Sequence, residues 1–169
     1  MTDRRSEQYR QHSLRRLRAV LTSSFERAQL LTLRYAPGQT VPLAVADRQY
    51  RTFMGQARSL VGKPIRYVVM TEYTPSDARI AADQLVTDLP SEICREIADS
   101  WFMGETSVVL VDAQQLAGFA AGLMAQPVDQ RQKGRRYWRT SRGLSQKCGS
   151  VPAHPNTKAP ANLGEQRQY

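Results

Sequence analysis

The chain has 169 residues, 41% of them hydrophobic, and 24 Lys and Arg against 15 Asp and Glu, for a net charge of +9. That is enough chain for one domain with a buried core, and no run approaches the roughly 18 apolar residues that a membrane span requires. Two cysteines without metal-type spacing, Cys94 and Cys148, give little support to a disulfide framework, and two peripheral histidines, His12 and His154, exclude a histidine-rich metal centre.

The charge is unevenly spread. Residues 1–27 carry +4, residues 28–130 carry −3 and residues 131–169 carry +8. Two basic arms around a slightly acidic core are the electrostatic footprint of a phosphate-rich partner, and without a large apolar face beside the basic tail the expected partner is nucleic acid, not a membrane. The charged start, MTDRRSEQYR, has no apolar signal region, so a cytoplasmic location is expected.

In chain order, Ser6 to Ser24 has Tyr9, Leu14, Leu17, Val20 and Leu21 at helical spacing, with Arg10, Arg15, Arg16 and Arg18 between them, and predicts a basic amphipathic helix. Ala28–Tyr35 predicts a core strand closed by the turn signal Pro37-Gly38. Leu43 to Leu60 predicts a long helix ended by Gly62 and Pro64, with Val45, Tyr50, Phe53, Met54, Ala57 and Leu60 as its buried stripe. Ile65–Tyr73 and Ile80–Thr87 are rich in β-branched and aliphatic residues around Pro75, Ser76 and Asp77. They predict a central antiparallel hairpin, with Glu72 near Asp83. These two acids read either as solvated strand-edge groups or as a vestigial metal or DNA site.

Ser91 is the expected N-cap of a helix running to Phe102, with Ile93, Ile97 and Trp101 on its apolar face and Gly104 ending it. Thr106–Val111 predicts the next strand, and Asp112 caps a helix to about Gln126, before Pro127. The two glycines inside that helix, Gly118 and Gly122, each cost about 1 kcal/mol relative to Ala, which implies a close neighbour. Lys133 to Leu144 then interleaves Tyr137 and Trp138 with Lys133, Arg135, Arg136, Arg139 and Arg142, a mixture suited to phosphates and unstacked bases. Beyond Ser145 the composition predicts a disordered tail. The element order predicts a single α+β domain, residues 25–145, whose mainly antiparallel central sheet is covered by helices, with a basic N-terminal helix at 1–24 and a tail at 146–169.

Over residues 13–145 the ordered set SLRRLRAVLTSSF, LLTLRYA, IRYVVMTEY, DLPSEICREIADSWFMG, LAGFAAGLMAQ and KGRRYWRTSRGL resembles the rolling-circle replication initiators of plasmids and small single-stranded DNA phages, the HUH endonucleases. The resemblance implies a sheet carrying two metal-binding histidines around one bulky residue, an acidic third ligand, and a tyrosine on a nearby helix that attacks a DNA phosphate. Carried over, the acidic position is Glu72, the histidine positions fall on Ala81 and Asp83 around Ala82, and the tyrosine, alanine, lysine, tyrosine pattern falls on Phe119, Ala121, Gly122 and Leu123. Metal ligands and nucleophile are therefore both degenerate. The implied function is non-catalytic DNA binding that modulates plasmid or phage replication or transfer, through Arg15, Arg16, Arg18, Lys133, Arg135, Arg136, Tyr137, Trp138, Arg139 and Arg142, with no cofactor and possible replication or transfer proteins as partners. Two alternatives stand beside it. One is an active nicking enzyme in which Glu72, Asp83 and Asp88 hold Mg²⁺ or Mn²⁺ and Tyr73 or Tyr137 attacks. The other is a protein-interaction module.

Overall fold

The computed structural model describes residues 4–36, 38–39, 41–74, 79–125, 137–141 and 144. Its elements are α1 (Arg4–Ser24), β1 (Arg27–Tyr35), α2 (Leu43–Val61), β2 (Tyr67–Tyr73), β3 (Ile80–Thr87), α3 (Ser91–Asp99), β4 (Gly104–Asp112), α4 (Ala113–Ala125) and β5 (Trp138–Thr140). The strands form one antiparallel sheet in the order β4-β1-β3-β2-β5. The α+β architecture expected from the sequence is the one found. In β1-α2-β2 and β3-α3-β4 each helical crossover skips one strand, so two split β-α-β units interleave as in ferredoxin-like sheets.

Strand periodicity divides the sheet into two faces. On one, Leu31, Leu33, Tyr35, Val69, Tyr73 and Leu85 pack against Tyr50, Phe53, Met54 and Ala57 of α2 and Cys94, Ile97 and Ala98 of α3. On the other, Ala28, Leu30, Val68, Met70, Val86 and Val111 pack against Leu17, Val20 and Leu21 of α1 and Leu116, Ala120 and Leu123 of α4. Each fully buried aliphatic chain contributes about 1.5–3 kcal/mol, and the basic helix α1 is held to the sheet by this apolar stripe.

Several local expectations change. Pro90, not Ser91, occupies the N-cap of α3 and makes no side-chain cap, since Ser91 is already helical. Helix α3 ends at Asp99, and the Trp101 indole N–H turns back to the Arg34 carbonyl at 3.2 Å. Val45 and Leu60 are exposed, not buried. Gly104 does not end a helix but opens β4 opposite Tyr35, where a Cβ would strike the Arg34 carbonyl and the Tyr35 backbone. Gly62 does terminate α2, in the left-handed region at φ 68°, with its N–H bonded to the Arg58 carbonyl. Asp112 does cap α4: its carboxylate accepts from the Gln115 N–H at 2.8 Å, and the Gln115 side chain accepts from the Asp112 N–H at 2.9 Å, a reciprocal capping box. Among the described residues no helix is long and apolar enough to cross a membrane.

Candidate functional site

The α1/α4 face is covered over only part of its area. Beyond the apolar rows, the register sets Thr32 against Gln84, and then Arg34, Ala82 and Glu72 in one row across β1, β3 and β2. Ala82 is so short that its two neighbours reach over it, and the Arg34 guanidinium stands 3.7 Å from the Glu72 carboxylate. Next to this row lies an open groove of about 610 Å³, lined by Glu72, Gln84, Val109 and Val111 from the strands and by Gln115, Gly118, Phe119, Gly122 and Leu123 from α4. The Phe119 ring is 45% exposed. Gln84 is buried, and its side-chain oxygen, itself shielded from solvent, has no hydrogen-bond partner among the described residues. Among the described residues no atom outside α4's own backbone lies within 4 Å of a Cβ built on Gly118 or Gly122, so both border this open space and no described neighbour demands a glycine there.

The acidic position Glu72 and the nucleophile position Phe119, together with Leu123, thus share one groove. The other half of the transferred motif does not join them. Thr71 is the partner of Asp83 and Ala82 the partner of Glu72, so Asp83 projects from the opposite face of the sheet. Ala81 falls where the β2–β3 register shifts and has no partner on β2. The residues that face the groove from β3 are Ala82 and Gln84, one position away from those the motif assigns. A single ion cannot be shared by Glu72 and Asp83. Asp88 lies at the far end of β3, 2.8 Å from Arg66. Among the described residues no group of three or more His, Cys, Asp or Glu is placed to hold a metal.

On the α2/α3 face Asp83 enters a second cluster. Its carboxylate, 1% exposed, accepts a hydrogen bond from the Thr71 hydroxyl at 2.7 Å. Arg139 of β5 reaches in from the sheet edge, 3.9 Å from Asp83 and 3.1 Å from Asp47 of α2, with its guanidinium 4.0 Å above the Tyr50 ring. Burial raises the pKa of Asp83, and the Thr71 hydrogen bond and Arg139 offset this only in part. Burial opposes the charge on Arg139, but Asp83, Tyr50 and Asp47 outweigh it and its pKa is raised. The Tyr35 hydroxyl, buried without a hydrogen-bond partner among the described residues, is pushed upward by burial and by Asp83 and Asp47.

This cluster changes the reading of the basic segment. Arg139 is spent on internal carboxylates and an aromatic face. The indole N–H of Trp138 donates to the Ser13 hydroxyl at 2.9 Å, and its ring packs on the core shared by α1 and α4. Tyr137 meets Tyr73 edge to face at 5.7 Å, on the side of the sheet away from Glu72 and Phe119, so neither substitute tyrosine joins Glu72. Lys133, Arg135, Arg136 and Arg142 lie outside the described residues. Arg15, Arg16 and Arg18 are exposed on α1. At 100° per residue, Arg16 and Arg18 stand on opposite flanks with Arg15 between them, a broad cationic face. Buried Cys94, pushed up to about 11 by burial and by Glu92, is no nucleophile.

No family model, no curated protein and no solved structure matches the chain.

Proposed function

We propose that the protein binds DNA without cutting it, taking a single strand along the groove beneath α4 while the outer face of α1 supplies phosphate contacts. The observation that carries this reading is the exposed Phe119 ring at the rim of a largely apolar groove, on the side of the sheet that also presents Arg15, Arg16 and Arg18. An aromatic face accepts any unstacked base, and arginines on a convex helix neutralise a backbone without reading sequence. On this reading no divalent metal takes part. Occupying DNA without nicking it fits a cytoplasmic modulator of plasmid or phage replication or transfer, the setting implied by the resemblance to rolling-circle initiators.

Fluorescence anisotropy with labelled single-stranded and duplex oligonucleotides tests it. Phe119→Ala is expected to weaken single-strand binding by about 1–3 kcal/mol and to leave duplex binding nearly unchanged. Replacing Arg15, Arg16 and Arg18 together by Ala is expected to weaken binding to every sequence and to flatten the log–log salt slope by about 2–3, at 0.7–0.9 per lost phosphate contact. Wild-type affinity that is the same with both variants would refute the proposal.

A further inference from the structure

Among the described residues strand β4 is an unguarded edge. It is nine residues long, its register with β1 is unbroken from Gly104 to Asp112, it contains no proline or lysine, and no described strand pairs with its outer side. Val109 and Leu110 are 52% and 57% exposed. Sheet proteins ordinarily blunt such an edge with a bulge, a charge or a cover, because its free N–H and C=O groups template another strand.

The ladder shows which groups are free. The Ala36 N–H donates to the Met103 carbonyl, so in this antiparallel pair residues 103, 105, 107, 109 and 111 bond to β1, and 104, 106, 108, 110 and 112 point outward. Gln115 already takes the Asp112 N–H. The central free run is therefore Thr106, Val108 and Leu110, which is symmetric about Val108.

We propose that two copies of the chain pair β4 to β4 in antiparallel fashion, about a two-fold axis through Val108, to form one continuous ten-stranded sheet. In this register Val108 meets its own copy and Thr106 meets Leu110 of the partner subunit, so identical donor and acceptor sets satisfy each other. The exposed Leu110 side chain is covered in the same step. Charge does not oppose the approach, because the two acids of β4 lie across from arginines of β1, Glu105 from Arg34 and Asp112 from Arg27. The opposite edge, β5, has three residues and offers no comparable template, so the pairing is isologous and stops at two. Side chains opposed in an antiparallel pair share a face, which places both grooves and both α1 helices on one side of the dimer.

The seam is small against the roughly 800 Å² per partner of stable interfaces, so the dimer is expected to be reversible. Light scattering after gel filtration, and sedimentation up to about 100 μM protein, are expected to give twice the 19.1 kDa chain mass at the upper concentrations. Val108→Pro removes an N–H that β1 does not use, and Leu110→Lys puts a charge on the exposed edge. Each is expected to return the mass to one chain while the circular dichroism spectrum keeps its native shape. A wild-type chain that stays monomeric throughout, or Leu110→Lys protein that still dimerises, would overturn the proposal. Neither outcome depends on DNA.

Discussion

At the scale of single residues the governing fact is that Asp83 is buried with incomplete compensation. Its hydrogen bond from Thr71 is short, but Arg139 stands 3.9 Å away and gives its closer contact to Asp47. Desolvation therefore wins, and the folded-state pKa lies above the ordinary 3.8. A carboxyl with a raised folded pKa holds its proton in the native state over a window where the unfolded chain has lost it. Its contribution to stability is complete below about pH 3.8 and declines as pH rises through the folded value. Asp83→Asn abolishes this titration. In urea unfolding from pH 3.5 to 7, the stability of the Asn variant relative to wild type is expected to rise with pH. A pH-independent difference would show that Asp83 ionises as freely in the fold as in the unfolded chain. The same geometry accounts for a misplaced expectation. Strand β3 is buried on both faces, so its sequence IAADQLVT shows no alternation to reveal that Asp83 shares a face with Leu85 and not with Glu72.

At the scale of elements, those with their own periodicity or caps were legible in the sequence, and those created by pairing were not. Helix α1, the β2–β3 hairpin and the Asp112 cap each carry a local signal: an apolar stripe, two strand-forming runs around a turn, and an Asp three residues before a Gln. Strand β5 carries none. Trp138, Arg139 and Thr140 lie in a basic run that reads as an arm for phosphates and bases, and they become a strand because β2 offers a free edge and the core offers sites for an indole and a guanidinium. The glycines of α4 show how tertiary context changes a local inference. They suggest a helix thinned for a neighbour, yet both border open space. Gly118→Ala and Gly122→Ala are therefore expected each to raise stability by about 1 kcal/mol in thermal or urea unfolding, since a methyl strengthens the helix and meets no atom. A loss of stability from either substitution would mean that the groove closes on α4 in solution. If DNA runs along the groove, the double variant should also bind a single strand more weakly while being more stable, a combination that general destabilisation does not produce.

At the scale of the whole molecule, the question is whether the two faces of the sheet can cooperate in phosphodiester chemistry. Attack on a phosphate diester requires a nucleophile aimed at phosphorus and a cation on the non-bridging oxygens, both on the same side of the scaffold. Here the sheet separates them. Glu72 and Phe119 share the groove of the α1/α4 face, whereas Asp83, Tyr73 and Tyr137 belong to the α2/α3 face, where the Asp83 carboxylate is enclosed by Thr71 and Arg139. A phenylalanine ring has no proton to lose, and among the described residues the cation paired with Glu72 is the Arg34 guanidinium at 3.7 Å, which offers charge but no open coordination position. Restoring a hydroxyl alone repairs one requirement and leaves the other unmet. We therefore expect that neither the wild-type protein nor Phe119→Tyr forms a covalent adduct with supercoiled or single-stranded DNA in Mg²⁺ or Mn²⁺, as read by denaturing electrophoresis of labelled substrate, and that added metal leaves DNA affinity unchanged apart from its screening of charge. A metal-dependent phosphotyrosyl adduct in the wild-type protein would require the strands to change register, since Tyr73 crosses to the groove face only if the pairing of β2 shifts by an odd number of residues, and Tyr137, which is not on β2, only if the segment leading into β5 turns over as well. Such a shift would bury Glu72 in the α2/α3 core and withdraw Val69 and Tyr73 from it, so the expectation of no cleavage rests on the same alternation of side chains along β2 that builds the two cores.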